Sequence, residues 1–283
     1  MNSEQNYHGK ICVVTGAASG IGRALAVRLG AAGAVLAISD VDVDGLAQTV
    51  RLIAKENGGR KSNSIMSDRL DVADAVAIEA YAEHVQASLG ETNTVFNVAG
   101  LTRMGNFDET PLTSMEKIMD VNYWGVVRMC KAFLPQVKKT KGSLVNIASI
   151  FGVIGYPGQS HYCASKFAVR GFSETLAQEL VCDGVRVSVV CPGGVATNIT
   201  RNAKIDALPD GMQNREQVDA QFDKAAITSA ADAAQIILDG AAQGNLHILV
   251  GKDAKRVSLI QRLFPQRYVK ILAKQRNKSD GLM

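Results

Sequence analysis

The chain of 283 residues lacks the features that most quickly assign a protein to a compartment or to a metal. Its five cysteines, Cys12, Cys130, Cys163, Cys182 and Cys191, form no C-x-x-C pair or other ligand spacing, and they are odd in number. Most lie in apolar segments, which predicts reduced, buried thiols in a cytoplasmic protein rather than a disulfide frame or a zinc site. No metal is therefore expected. No run approaches the roughly 18 apolar residues that a spanning helix needs. The opening residues, Met-Asn-Ser-Glu-Gln-Asn-Tyr-His, have neither a basic n-region nor an apolar h-region, so no secretory leader is expected. Internal repeats and Pro/Ser-rich linkers are absent, and one domain is expected. Disorder is not the default either, because 47% hydrophobic and 20% charged residues are ordinary for a globular chain.

The formal charge of +4 is unevenly placed. Residues 252–278 carry nine Lys/Arg against the single Asp253, so the basic character belongs to the C-terminal end and the remaining body is mildly acidic.

Short apolar runs alternate with helical patterns along most of the chain. Strands are predicted over 10–15, 34–39, 64–70, 94–98, 143–148, 185–191 and 246–250. Helices are predicted from Ile21 to about Gly30, over 43–57 with closure at Gly58-Gly59, and from about 73 to Leu89. Others are predicted over 112–137, from about Tyr162 to Cys182, and over 230–242. Strand–helix alternation indicates right-handed βαβ units and a parallel sheet, and continuous apolar strands are expected where helices cover both faces. Residues 195–228 show little periodicity.

The richest stretch runs from Ser149 to Lys166. Tyr162 and Lys166 stand at i and i+4, so a phenol and an ammonium can share a helix face. A phenol titrates near ~10 and is a poor base at neutral pH; bringing it into the working range needs roughly 3–4 kcal/mol, which a close cation can supply. Alone the pair is weak evidence, since about 0.3 Tyr-x-x-x-Lys matches are expected by chance in such a chain. Upstream, Thr15-Gly-Ala-Ala-Ser-Gly20-Ile-Gly22 lies between a strand and a helix, where backbone N–H groups and a helix N-terminus can receive a pyrophosphate. A tight turn needing glycine for its backbone would look the same. Asp40 ends the second strand, eighteen residues after Gly22, placed to accept hydrogen bonds from a ribose diol and to repel a 2′-phosphate. Neither Ser19 nor Val41 offers a compensating cation, so NAD is favoured over NADP.

Together these residues resemble the short-chain dehydrogenase/reductase family. Thr15-Gly-x-x-x-Gly20-x-Gly22, Asp71-Val72, Asn97-Val-Ala-Gly100, Asn122, Ser149, Tyr162-x-x-x-Lys166 and Pro192-Gly-Gly-Val195-x-Thr197 occur in the family's order, over residues from about 8 to 251. The resemblance implies an α/β Rossmann-type fold, a doubly wound parallel sheet of seven strands in the order 3-2-1-4-5-6-7, as one domain over 1–251. It implies that Tyr162 is the acid/base, that Ser149 orients the substrate oxygen, that Lys166 binds the nicotinamide ribose and depresses the tyrosine pKa, and that Asn122 holds a water connecting Lys166 to solvent. Cofactor contacts are implied for Thr15, Gly16, Ser19, Gly20, Ile21, Gly22, Asp40, Asp71, Val72, Asn97, Ala99, Gly100, Tyr162, Lys166, Pro192, Gly193, Val195 and Thr197. The expected activity is NAD-dependent hydride transfer between nicotinamide and a secondary alcohol or ketone, by a homodimer or homotetramer. An NADP-preferring ketone reductase and a non-catalytic nucleotide-binding scaffold are the alternatives. Val98 departs from the family, which usually has a second Asn there.

Other residues are open to plainer readings. His161 is expected at the surface or an interface, Cys163 in packing, and Arg103 either beside the substrate pocket or in a solvated loop. Phe151, Val153, Ile154 and Tyr156 are candidates for an apolar pocket wall, and 195–228 for a substrate lid. The extension 252–283 shows apolar residues at helical spacing, interrupted by Pro265. It reads as subunit packing or as peripheral attachment to an anionic membrane; nucleic acid is disfavoured for want of an aromatic stacking platform.

Overall fold

The computed structural model describes residues 3–56, 65–197, 199, 201, 203–208 and 212–280. The predicted helix closure at Gly58-Gly59 lies outside them. Seven strands, β1 (Ile11–Thr15), β2 (Val35–Asp40), β3 (Ile65–Arg69), β4 (Thr94–Asn97), β5 (Ser143–Ile147), β6 (Arg186–Pro192) and β7 (His247–Val250), form one parallel sheet in the order 3-2-1-4-5-6-7. This is the expected topology.

The strands are apolar on both faces because both faces are covered. In register across the sheet, Val13 pairs with Ala37 and Val95, and Val95 with Leu144. These residues face α3 (Ala75–Leu89), α5 (Gly125–Thr140) and α6 (Ser160–Glu179), where Tyr81, Phe133 and Val169 are buried. Their sequence neighbours Val14, Ile38, Phe96 and Val145 face the other side, against α1 (Gly20–Ala31), α2 (Val43–Glu56) and α8 (Ala230–Ala242). The alternation of side chains along a strand thus divides one sheet into two cores.

Two departures from the sequence reading matter for the site. The helix expected over 112–137 is α4 (Leu112–Met119), then a π-helical turn Asp120–Trp124, then α5, which runs on to Thr140. At that turn the Gly125 amide reaches back five residues to the Asp120 carbonyl. The lid region also contains a helix, α7 (Arg215–Ala225), whose polar sequence buries only Val218. The signal for it was Asn214-x-x-Gln217: the Asn214 side chain accepts from the Gln217 amide at 3.0 Å, as an N-cap does.

The extension forms α9 (Lys252–Leu263) and α10 (Tyr268–Asp280), separated near Pro265 as expected. Ala254 is fully buried, and Val257, Tyr268 and Leu272 pack against the core. Among the described residues no helix is long and apolar enough to cross a membrane, and none groups His, Cys, Asp or Glu in a metal-binding arrangement. All five thiols are unbridged; four are buried, in keeping with the apolar segments that carry most of them, and Cys182 is exposed.

Candidate active site

The strand order reverses between β1 and β4, so the chain leaves their carboxyl ends in opposite directions and opens a crevice there. Thr15, at the end of β1, accepts hydrogen bonds at 3.1 Å from the Val98 and Ala99 amides, which fastens the β4 exit to the glycine loop. Gly16 has φ 68°, and a Cβ there would lie 2.8 Å from the Ala99 backbone. A Cβ on Gly22 would overlap the Gly16 carbonyl. Close approach therefore requires both glycines, and backbone conformation requires Gly16 as well. Ser19 precedes α1 without capping it through its side chain, and the first turn has no acidic residue. The positive end of α1, with Gly20, Ile21 and Gly22 in that turn, is left open to an anion.

Asp40 is tied more closely to this loop than its spacing suggested. Its carboxylate accepts from the Ala18 amide at 2.9 Å and the Asp42 amide at 3.1 Å. Arg23 braces the same loop from beneath, through the Ala18 and Gly45 carbonyls and Thr49. Asp71 accepts from the Ala73 amide at 2.9 Å, and Val72 packs where a side chain on Gly125 would collide. Asn97 is turned away from the groove. Its amide nitrogen donates to Asn146 at 2.8 Å and approaches the Cys130 sulfur, inside the core. Any part it takes in lining the groove falls to its backbone.

Asn122, Ser149, Tyr162 and Lys166 converge at the exits of β4 and β5. The Asn122 carboxamide lies in the π turn, fully buried, accepting from the Leu101 amide at 2.8 Å and donating to the Leu101 carbonyl and Ser165. Both of its amide hydrogens are thereby engaged, so its side chain has no donor left for a water. A Cβ on Gly100 would lie 3.2 Å from the Asn122 oxygen and 3.4 Å from the Lys166 ammonium, which shows how closely the three meet. Ser149 accepts from the Phe151 amide at 3.1 Å, and its hydroxyl is near enough to the Tyr162 phenol to favour the phenolate.

Lys166 differs from expectation in one respect. Its Nζ lies 5.7 Å from the Tyr162 ring centroid and donates to the Ile147 carbonyl at 2.9 Å. Burial pushes the phenol up to about 12, against the lowering effect of Ser149. Burial also brings the Lys166 ammonium down to about 8. Lys166 is not among the groups that lower the tyrosine pKa: both groups are desolvated and the ammonium is turned to a carbonyl.

The far wall is built by long-range contacts. Phe151 stacks on Tyr156 at 4.8 Å and meets Tyr162 edge-on, whereas Val153 and Ile154 are buried in the core rather than in a pocket wall. Arg103 is neither solvated nor free for a substrate anion: it pairs with Asp206 at 3.4 Å and donates to Ser114 at 2.6 Å. Arg103–Met104 also bridges Lys204–Ile205, strapping the segment expected to form a lid to the β4 exit. His161 is buried within the chain, contrary to the surface or interface position expected, and its Nε2 lies 3.0 Å from the Arg103 carbonyl. Thr197 reaches the opposite lip, 3.1 Å from where a Cβ of Gly20 would stand. Asp206, Ser114 and Gln159, which accepts from Thr102 at 3.1 Å, carried no local motif by which the sequence could flag them.

A family profile described as short chain dehydrogenase matches residues 10–207. SadH of Mycobacterium tuberculosis, which carries the name of an oxidoreductase, is 44% identical over 271 residues, 95% of each chain. That share necessarily reaches into the extension. Meso-2,3-butanediol dehydrogenase of Serratia marcescens is 36% identical over 194 residues, 69% of this chain and 74% of its own. Among solved structures, a short chain dehydrogenase/reductase from Burkholderia phymatum in complex with NAD superposes with a TM-score of 0.79 at 28% identity, over 90% of this chain and 94% of that one.

Proposed function

The chain belongs to the short-chain dehydrogenase family and is an oxidoreductase, and from that premise we propose that it interconverts a secondary alcohol and its ketone with NAD. The observation that carries this reading is the convergence of Asn122, Ser149, Tyr162 and Lys166 beside an open, glycine-lined helix N-terminus. That cradle suits a dinucleotide: its glycines leave room for a pyrophosphate, and the amide-bound Asp40 presents a carboxylate where a 2′-phosphate would be repelled. The NAD named with the Burkholderia phymatum neighbour supports the same choice, and the diol named in the Serratia marcescens relative supports a secondary alcohol.

A bound nicotinamide supplies or accepts the hydride. Ser149 holds the substrate oxygen, and Tyr162 gives it a proton in ketone reduction or takes one in alcohol oxidation. Lys166 is one turn away, able to leave the Ile147 carbonyl for a ribose hydroxyl. Asn122 keeps Leu101 and Ser165 in place around it. Phe151 and Tyr156 favour an apolar substrate.

Tyr162→Phe tests this. The variant is expected to bind NADH as the wild type does and to lose about 10²- to 10⁴-fold in turnover across a panel of secondary alcohols. Unchanged turnover would overturn the mechanism, and equal affinity for NADP and NAD would overturn the role given to Asp40. A scaffold protein would bind NADH and turn over nothing in either form.

Two features bear on partners. Trp124 and Phe167 are exposed large hydrophobics on the π turn and α6, which supports a homodimer or homotetramer through these helices. On the extension, Leu259, Leu263, Phe264 and Val269 are exposed beside Lys255, Arg256, Arg262, Arg267 and Lys270. No ion pair engages those cations among the described residues. We read that face as a contact for an anionic membrane surface on a cytoplasmic protein. Full-length protein is expected to sediment with phosphatidylserine-containing vesicles, and Leu263→Asp/Phe264→Asp to abolish this. No sedimentation of the wild type sinks the idea.

A further inference from the structure

The first turn of α9 reaches back into the site. Asp253 Oδ2 accepts a hydrogen bond of 2.7 Å from the Gly194 amide, fifty-nine residues earlier. The carboxylate fills space that glycines leave open: a Cβ on Gly193 or on Gly251 would overlap it. Its other oxygen, Oδ1, is buried without a partner. An aspartate in a first helical turn is ordinarily explained by the helix dipole and left in water. This one is instead held against a loop, with one oxygen desolvated, at a cost that dipole stabilisation alone does not offset.

The loop it holds is Pro192–Thr197. Gly193 is tied to the sheet through the Val250 carbonyl at 2.9 Å, and Val195–Ala196 bridges Thr228–Ser229. Thr197 at its end closes on the glycine loop at Gly20. Between the Gly193 tether and that closure, the Asp253 bond is a side-chain contact fixing the height of the turn.

We propose that Asp253 is a positioning residue for the nicotinamide end of the cofactor, acting through the Gly194 amide on Val195 and Thr197. The C-terminal extension is then part of the active site rather than an appendage to it. This rests on the NAD reading above, so its test has one arm that needs no cofactor. In ligand-free protein, Asp253→Ala is expected to speed amide hydrogen exchange over residues 193–197 at least about tenfold. Asp253→Asn, which keeps an oxygen acceptor, is expected to stay within about threefold of wild type. In the second arm Asp253→Ala raises the Kd for NADH about tenfold, with the KM for the alcohol unchanged, and Asp253→Asn largely restores it. If Asp253→Ala does not fold, Asp253→Glu, which displaces the carboxylate by a methylene, takes its place with the same expectations.

Faster exchange with unchanged NADH affinity overturns the positioning role. Equal loss in both variants, matched by equal falls in thermal stability, reduces Asp253 to a packing residue. If wild type itself fails to bind NADH, the cofactor reading falls, and the exchange arm alone decides whether Asp253 holds the loop.

Discussion

On the β1–β2 side of the groove, the parts that meet are close in sequence or paired in the sheet. Gly16 needs Ala99, Thr15 bonds Val98 and Ala99 across adjacent strands, and Asp40 bonds Ala18 across another adjacent pair. On the lid side the contacts are made by single side chains of segments far apart in the chain: Arg103 to Asp206, and the Tyr268 hydroxyl to the Gly155 amide at 3.5 Å. The first side is set by backbone geometry, which tolerates almost no change. The second is set by single side chains on exposed or half-exposed elements, each replaceable at modest cost. The cofactor half of such a site is therefore rigid by construction, and the substrate half is adjustable.

Three substitutions would break or sharpen that contrast. The largest effect is expected from Gly22→Ala, whose new methyl meets the Gly16 carbonyl rather than a movable side chain. It should destabilise the protein by about 3 kcal/mol or more and abolish NADH binding, read by chemical denaturation and fluorescence titration. A tolerated alanine there would show the cofactor side to be less rigid than described.

Lys166→Met comes next. Lys166 titrates at about 8 when folded, below its usual value of 10.5. The unfolded chain therefore binds more protons between those values, and the burden on folding is greatest below pH 8 and relieved as pH rises towards 10.5. Relative to wild type, the variant should gain on the order of 3 kcal/mol at pH 7, less the lost bond to Ile147, and that gain should shrink by pH 10. Denaturation at the two pH values measures it. A gain independent of pH would mean that burial of charge is not its source.

The smallest effect is expected from Arg103→Ala, on the adjustable side. Loss of a mostly buried pair beside the lid should cost about 1–2 kcal/mol, raise the substrate KM a fewfold and leave the NADH Kd unchanged. A matching change in NADH affinity would show the two halves to be coupled and blur the distinction.

The same contrast explains what the sequence disclosed. The strands, the helices on both sheet faces and the glycine loop were legible because they follow from periodicity and short motifs, whereas the strand order came only from the family resemblance; β1 and β2 lie within a residue of their expected limits. Asn122 was legible through its place in the family's pattern, but the π turn that carries it was not. His161 was misjudged because helical spacing places it off the Tyr162 face without saying what covers that other face; the Arg103 loop does. Val153 and Ile154 are as apolar as a pocket wall would require, and composition cannot separate a pocket from a core. Asp253 had no signal of its own, although Gly193 and Gly251 together mark the space it fills.

The unusual pair of titrations at Tyr162 and Lys166 has a consequence for direction. At neutral pH both groups hold their protons before any ligand arrives, so the resting site is a charged reservoir and not an empty one. A ketone entering it meets a donor already loaded. An alcohol must first have the proton taken from Tyr162, which the arrival of a cationic ring favours. On the proposed chemistry, reduction starts from the ground state of the protein, and oxidation starts one deprotonation away from it.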